Sequence, residues 1–481
     1  MSPERLSFRV DQISAKVYGT YGRIAFANSF HSHFSIPLHP TMKPLLIRSA
    51  IVAALGGLLF GFDTAVISGA ISALTSIFHL DETVKGFTVA VAIFGTIIGS
   101  LGAGIPAERY GARECLKVTG LFFLLSSLGC ALAQNWDTLI FFRFVGGLGI
   151  GAASVLGPVY IAEVAPAAWR GRLVGCFQIN IVAGILLAYL SNYLVGLAAL
   201  GDNEWRIKLG VGALPATLFL AMLFTIPRSP RWLAKKGHLE EARTVLRNVG
   251  EPDPEGELQD IRNSLHADAK AGEEPLFSWN YRFPIFLAVS IATFNQLSGI
   301  NGLLYYLNDI FAMAGFSKVS GDFQSVVIGA VNLCFTILAM TLIDKVGRRM
   351  LLLIGSVGTA FSLAGVAAIF LSGLHRDALL WFLVSYIAFF AFSQGAVIWV
   401  YISEVFPNQV RGKGQALGCF THWSLCAVVS FSFPILAKSS GGYPFVIFAA
   451  MMVLQFIVVY FIYPETKGVS LEALQRKLGI D

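Results

Sequence analysis

The chain has 481 residues, of which 55% are hydrophobic and only 13% are charged, with a formal net charge of +6. Soluble proteins carry roughly 25% charged residues, so this composition predicts an integral membrane protein. Most of the length falls in apolar runs of about 20 residues, which span a bilayer as helices, and this excludes a protein held by one anchor. No basic patch interleaved with aromatic residues lies outside these runs, so nucleic acid is not an expected partner.

Residues 1–44 are predicted to be an N-terminal extension that does not belong to the membrane fold. They mix basic, aromatic and small residues. A signal peptide is not predicted, because no apolar core of roughly 7–15 residues ends there in a small-residue cleavage site. Met42 directly precedes the first apolar run. We therefore predict Met42 as an alternative translation start to Met1.

Twelve apolar segments that can span a membrane as helices follow the extension. They run at 47–72, 86–106, 115–133, 138–164, 172–197, 207–226, 283–313, 323–343, 349–372, 378–405, 413–437 and 444–463. The predicted fold is an all-α membrane protein with twelve transmembrane helices in two halves, at 45–227 and 281–464. Residues 228–280 are rich in charge and contain amphipathic patterns, which predicts a short helical linker between the halves. Residues 465–481 form the predicted tail.

Basic residues are concentrated in alternate loops of this chain. Arg109 and Arg113 follow the second segment, Arg170 and Arg172 follow the fourth, and many more lie within 228–280. The intervening loops are poor in lysine and arginine. Because these residues mark cytoplasmic loops, the linker and both termini are predicted to be cytoplasmic, with the protein in the cell membrane.

The two halves contain related motifs in the same order. YIAEVAPAAWRG at 160–171 resembles YISEVFPNQVRG at 401–412, and AERYGAR at 107–113 resembles IDKVGRR at 343–349. The segment that begins at Pro227 is loosely similar to PETKG, which begins at Pro464. Two parallel six-helix repeats around a central cavity are the design of one large class of transporters.

Charged residues recur at matching positions of these motifs, at the predicted cytoplasmic ends of the helices. They are Glu108, Arg113, Glu163 and Arg170 in the first half and Asp344, Arg349, Glu404 and Arg411 in the second. Arg113 and Arg349 are predicted to reach Glu163, Glu404 and free carbonyls at helix C-termini. These contacts would act as a cytoplasmic gate between the halves. Anchoring of snorkelling side chains at the membrane interface is the alternative.

The stretch FNQLSGINGLLYY at 294–306 places carboxamides within an apolar segment. A buried carboxamide is costly without a partner, so these side chains either bind a polar, uncharged solute or join helices to one another. Gln296 and Asn301 are five residues apart, which is roughly 140° around a regular helix. For both to reach one ligand, the helix must be kinked or unwound near Gly299.

Several motifs together resemble the sugar porter family of the major facilitator superfamily, over about residues 45–472. The motifs are GFDTAVISGA at 61–70, RFVGGLGIG at 143–151, SPRWL at 229–233, NQLSGIN at 295–301 and PETKGVSLE at 464–472, together with the four repeated segments above. The basic-loop motifs occur throughout the superfamily. The combination of SPRWL, QLSGIN and PETKG is typical of sugar porters.

The resemblance implies a monosaccharide site between the halves, halfway across the membrane. Its implied residues are Phe60, Gln178, Ile185, Asn295, Gln296, Asn301, Tyr305, Asn332, Trp399, His422 and Trp423. Asn295, Ile185 and His422 depart from the usual residues of some family members, so the sugar stays open between hexose and pentose. Ala396 and Arg228 depart from the family in segments that are expected to move. Apart from the proton, no cofactor or metal and no obligate protein partner is implied.

Asp63 and Arg143 are charged residues inside the first and fourth apolar segments. Family members that couple sugar to protons resemble this chain at both positions, so Asp63 is read as the proton acceptor and Arg143 as its modulator. A static ion pair is the alternative. The expected function is proton-coupled sugar import by alternating access, with a facilitative uniporter or a transporter-like sugar sensor as other readings. An enzyme is not expected, since no catalytic motif appears.

Overall fold

The computed structural model describes residues 42–270, 274–407, 409–469 and 471–478. Within these ranges twelve helical spans are long and apolar enough to cross a membrane, and we number them 1 to 12. They are Pro44–Gly69, Glu82–Gly102, Ala112–Leu132, Trp136–Val164, Ala167–Leu197, Gly201–Thr225, Trp279–Tyr305, Lys318–Val346, Arg348–Ser372, Arg376–Val405, Arg411–Ser439 and Tyr443–Ile462. The predicted fold class is confirmed. The predicted N-terminal extension lies, up to residue 41, outside the described residues.

The helix packing repeats between the two halves, spans 1–6 and spans 7–12. Span 1 packs on span 5, span 2 on span 4 and span 3 on span 4. The equivalent pairs in the second half are spans 7 and 11, 8 and 10, and 9 and 10. Between the halves, span 2 packs on span 11 and span 5 on span 8. The sequence repeats therefore correspond to two similar bundles that meet along two seams.

Three short helices connect spans 6 and 7, at Pro230–Lys235, Leu239–Val249 and Pro254–Lys270. They share a small apolar core that includes Leu233 and Leu246. We call the end of the bundle that carries them the linker end, and the other the opposite end. A further helix, Leu471–Leu478, follows span 12.

Span 7 is interrupted at Gly299, as the spacing of its carboxamides predicts. Regular helix runs over Arg282–Leu297 and resumes at Ile300–Tyr305. Gly299 between them has φ +84°, in the left-handed region that favours glycine. Its missing side chain also matters, because a Cβ there would lie 2.2 Å from Cδ2 of Phe448. Backbone conformation and close packing therefore both require glycine at the break.

Span 10 is interrupted at Ser393, between helices Leu379–Phe392 and Gln394–Val405. A moving segment was predicted near Ala396, but the position of the break was not. Ser393 donates to the carbonyl of Phe389 at 2.6 Å. Serine thus satisfies a helix-end carbonyl at a break that forms without proline.

Candidate functional site

The break in span 7 brings two carboxamides together that a regular helix would separate. Asn301 Nδ2 donates to Gln296 Oε1 at 2.9 Å. Gln296 is fully buried, and its Nε2 lies 3.1 Å from Nε2 of His422 in span 11. An amide nitrogen only donates, so the histidine nitrogen accepts. Gln296, Asn301 and His422 therefore form one hydrogen-bonded group.

Aromatic rings continue this group towards the first half. The ring of His422 lies 4.9 Å from that of Trp399 and 5.0 Å from that of Trp423, measured between centroids. Trp423 in turn lies 5.6 Å from Phe60 of span 1. The last contact crosses between the halves. Carboxamides and aromatic faces thus meet where the two bundles face each other.

Gln178 in span 5 and Asn332 in span 8 are the two implied carboxamides on other spans. Within the described part of the chain, neither side chain makes a hydrogen bond, although Gln178 is half-buried and Asn332 is 7% exposed. Spans 5 and 8 pack on each other across one seam. Both amides therefore keep their donors and acceptors available for a ligand.

Asn295 and Ile185 have different surroundings from these amides. Asn295 Nδ2 donates to the carbonyl of Gln394 at 3.5 Å, just after the break in span 10, and its Oδ1 accepts from Gln296. This side chain therefore joins spans 7 and 10. Ile185 is 6% exposed and belongs to the same apolar cluster as Tyr305.

A polar, uncharged ligand with an apolar face suits this arrangement. Amide groups provide donors and acceptors for hydroxyl groups, and aromatic rings pack on the C–H face of a sugar ring. Binding pockets commonly combine such apolar walls with a few oriented polar groups.

Asp63 and Arg143 lie side by side in the first half. Both line two small cavities of about 10 Å³ each, the size that holds a single water molecule. A Cβ on Gly146, one turn after Arg143, would lie 3.7 Å from Asp63 Oδ1. The guanidinium is anchored to span 2, since Arg143 Nε donates to the carbonyl of Thr88 at 3.2 Å. Within the described residues, Asp63 has no hydrogen bond or ion pair.

The charged residues of the first half contact the linker and the end of span 6. Arg113 donates to the carbonyl of Ile226 at 2.9 Å, as predicted for a free carbonyl at a helix C-terminus, and pairs with Glu114. Among the described residues no contact joins Arg113 to Glu163, whose carboxylate lies beside Ser229. Two further contacts join Glu108 to Lys235 at 3.6 Å and Arg170 to Glu257 at 3.9 Å.

The second half repeats this pattern with one difference. Arg349 donates to the carbonyls of Val459 and Tyr460 at the end of span 12. Its neighbour Arg348 contacts Glu404 at 2.9 Å and Asp344 at 2.9 Å. Arg348 was not among the predicted gate residues, because the two adjacent arginines differ only in the helix face that each occupies.

Arg411 was also assigned to the predicted gate. Its Nε and Nη2 atoms are buried and have no partner among the described residues.

Two repeated bundles, a polar and aromatic group between them and an aspartate beside a buried arginine define a membrane transporter. Comparison with known proteins gives the family. Residues 49–478 match the family described as "Sugar (and other) transporter". The chain belongs to this family, the sugar porters of the major facilitator superfamily.

Relatives of known activity share most of their length with this chain. The D-xylose-proton symporter of Escherichia coli is 36% identical over 464 residues, covering 88% of this chain and 94% of that protein. The arabinose-proton symporter of Bacillus subtilis is 36% identical over 438 residues, covering 90% and 94%. The inward-open structure of the E. coli xylose transporter XylE matches with a TM-score of 0.80 and 34% identity, covering 90% of this chain and 99% of that one.

Proposed function

We propose that this protein imports a monosaccharide together with a proton, by alternating access. The family and the proton-coupled relatives support this function. The protein would lie in the cell membrane with the linker end and both termini in the cytoplasm, because the basic loops lie at that end. The sugar is a pentose or hexose.

One observation carries the proposal of coupling, namely a cavity that the proton site and the sugar site share. Asp63 and Arg143 line it together with Phe60, Tyr305 and Trp423. Phe60 and Trp423 form the ring contact between the halves. A charge change at Asp63 would therefore act within a few ångströms of the residues that meet the sugar.

The proton step follows from the cost of a buried charge. An isolated carboxylate in a low-dielectric site is expensive, so Asp63 needs either a proton or the neighbouring guanidinium. In this structure Arg143 is bonded to the carbonyl of Thr88 and is not paired with Asp63. This is the arrangement expected when Asp63 is protonated. Loss of the proton would draw Arg143 towards Asp63 and alter the contacts of span 1.

The sugar step uses carboxamides from both halves. Gln178 and Asn332 would hydrogen-bond the sugar hydroxyl groups directly. Gln296 and Asn301 would give up the hydrogen bond between them and form hydrogen bonds to the sugar instead. A ligand shifts a conformational equilibrium only through different affinities for the two states. Contacts from both halves provide that difference, because the halves move relative to each other.

Transport by purified protein in liposomes tests the function. A pH difference of one unit is worth 1.36 kcal/mol, so one proton per sugar can drive about tenfold accumulation. We expect such accumulation of a pentose or a hexose with an inward proton gradient, and its loss when a protonophore is added. The Asp63→Asn variant should exchange sugar across the membrane but not accumulate it.

The outcomes separate the alternatives. Saturable uptake that the protonophore leaves unchanged would identify a facilitative uniporter. Accumulation that survives in Asp63→Asn would exclude Asp63 as the proton acceptor. Absence of saturable uptake for every pentose, hexose and polyol would contradict sugar transport. The transporter-like sugar sensor would then be the remaining alternative.

A further inference from the structure

A buried lysine joins the two halves at the opposite end of the bundle. Lys208 of span 6 is 0% exposed. Its ammonium contacts Glu204 Oε1 at 2.8 Å, Asp322 Oδ2 at 3.2 Å and the carbonyl of Gly69 at 3.1 Å. The ammonium hydrogen-bonds to Asp322 and to the carbonyl of Gly69, and its contact with Glu204 is an ion pair. Asp322 belongs to span 8, so one of these contacts crosses between the halves.

Both acids in this group have further contacts. Asp322 is 1% exposed, and its Oδ1 accepts from Nδ2 of Asn308. Glu204 Oε2 pairs at 2.9 Å with Lys318 at the start of span 8, a second contact between the halves. A Cβ on Gly196 would lie 2.8 Å from Asp322 Oδ2, so span 5 covers the group closely. Two lysines and two carboxylates give the group no net charge.

The spacing of the four residues provides each charge with a second partner. Glu204 and Lys208 are four residues apart on span 6, and Lys318 and Asp322 are four apart on span 8. Residues at this spacing lie on one face of a helix and form ion pairs. Lys318 has 56% of its side chain exposed, so its ammonium is free to turn from Glu204 to Asp322.

We propose that these four residues form a latch that holds the opposite end closed and opens by exchange of partners. In the closed state two ion pairs join the halves. In the open state each half retains one pair, Glu204 with Lys208 and Lys318 with Asp322. A buried charge left without a partner is strongly destabilising, and the exchange avoids that cost. The latch therefore sets the balance between the two states without blocking the transition.

A second contact at the same end acts in parallel. Lys85 at the start of span 2 pairs at 2.6 Å with Asp309, which follows span 7, and Ser72 donates to Asp309 at 3.0 Å. This contact lies beside the seam of spans 2 and 11. Each seam between the halves is thus closed by a lysine–aspartate pair.

Two substitutions with opposite expected effects test the exchange. Asp322→Asn keeps the shape of the side chain and its hydrogen bond to Asn308 but removes the charge that holds Lys208. The population of the open state should therefore increase. Lys318→Met removes one pair from each state. In the closed state Glu204 still has Lys208, whereas in the open state Asp322 would have no partner, so the population of the open state should fall. Coupling free energies of this kind typically change an equilibrium constant roughly 5-fold to 150-fold. We expect each substitution to change the ratio of open to closed molecules by about tenfold, in opposite directions.

The readout is the distance between spin labels at Gln134 and His375, which lie on different halves at the opposite end and are exposed. Double electron–electron resonance on the full chain, with the native cysteines replaced, gives the fractions of short and long distances without any sugar. The matched control is Glu82→Gln, because Glu82 pairs at 3.9 Å with Lys85 within the same half. It should leave the fractions unchanged.

The inference is overturned if Asp322→Asn does not raise the long-distance fraction, or if Lys318→Met raises it as Asp322→Asn does. The second result would mean that Lys318 acts only as a closed-state contact, which excludes the exchange of partners. If Asp322→Asn fails to fold, Lys318→Met alone still decides, since only exchange predicts a loss of the open state. The measurement needs no transport, so failure of the proposed function would appear separately in the uptake assay.

Discussion

At the scale of single residues, His422 is the contact that ties the carboxamides to the aromatic rings. Its Nε2 accepts from Gln296, whose side chain is fully buried. Leaving a buried donor without a partner costs about 1–3 kcal/mol. We expect His422→Leu to raise the KM for the transported sugar about tenfold or more, measured as initial uptake in liposomes.

The control for this prediction is His422→Asn, which restores a carboxamide that can accept from Gln296. Its KM should stay within about threefold of the natural protein, since the hydrogen bond is what matters. An unchanged KM in His422→Leu would show that Gln296 does not depend on this partner. A different order of preference among sugars in His422→Asn would identify position 422 as a determinant of specificity.

The charged residues show where sequence reasoning was limited. Arg113 and Arg349 were expected to reach helix-end carbonyls, and both do. Arg349 was predicted to reach Glu404, but Arg348 contacts it instead. Choosing between the two arginines requires the helix phase after Gly347, which has φ +100°. The buried pair of Lys208 and Asp322 was missed as well. More than 100 residues separate the two, so only the packing of the halves brings them together.

At the scale of elements, the break in span 7 could be predicted from two residues and helix geometry. The structure gives the break two causes at Gly299, a positive φ and close contact with Phe448. A side chain in the left-handed region costs about 1–2 kcal/mol, and forcing atoms into packed space costs about 1–3 kcal/mol more. We expect Gly299→Ala to lower the thermal midpoint of the purified protein and to abolish uptake.

Gly373 provides a matched control for this substitution. It also has a positive φ, +71°, but a Cβ there would meet no atom within 4 Å. Gly373→Ala therefore carries the backbone cost alone and should retain uptake with a smaller drop in midpoint. Equal drops for the two variants would show that contact with Phe448 is unimportant and that strain alone explains the glycine.

The linker end shows how a departure from the repeat is compensated. In the second half, Glu465 accepts from the backbone amides of Arg348 and Arg349 at the start of span 9. The corresponding position in the first half is Arg228, which has the opposite charge and lies 3.5 Å from Glu114 in the first turn of span 3. In the first half the carboxylate thus belongs to span 3 itself, as Glu114, and not to the segment after the sixth span. A carboxylate therefore remains at the N-terminus of the helix in both halves, where the helix dipole favours it.

At the scale of the whole molecule, hydropathy and the repeated motifs predicted twelve spans in two halves, and the match to residues 49–478 confirms the family. These features follow from local sequence, because a membrane span and a helix-end motif each lie within a few tens of residues. Which end of the transporter is closed, by contrast, depends on contacts between the halves. The closed seams at the opposite end, including Lys85 with Asp309, became visible only in the structure.

At the seam of spans 2 and 11, the backbones of the two halves come into close contact at Gly86. A Cβ on Gly86 would lie 2.3 Å from the carbonyl oxygen of Phe431, a backbone atom that cannot move aside as a side chain does. We expect Gly86→Trp to prevent closure of the opposite end. The protein should then be held open there, bind sugar in calorimetry and fail to transport it, because alternating access requires both states.

Gly102→Trp is the matched control, since Gly102 lies in the same span but a Cβ there would meet no atom within 4 Å. It should transport sugar at a rate near that of the natural protein. The spin labels at Gln134 and His375 would report the expected long distance in Gly86→Trp and the natural distribution in Gly102→Trp. Transport by Gly86→Trp would mean that spans 2 and 11 do not need to meet at this end. In that case, the lysine–aspartate pairs alone would have to close the opposite end during the transport cycle.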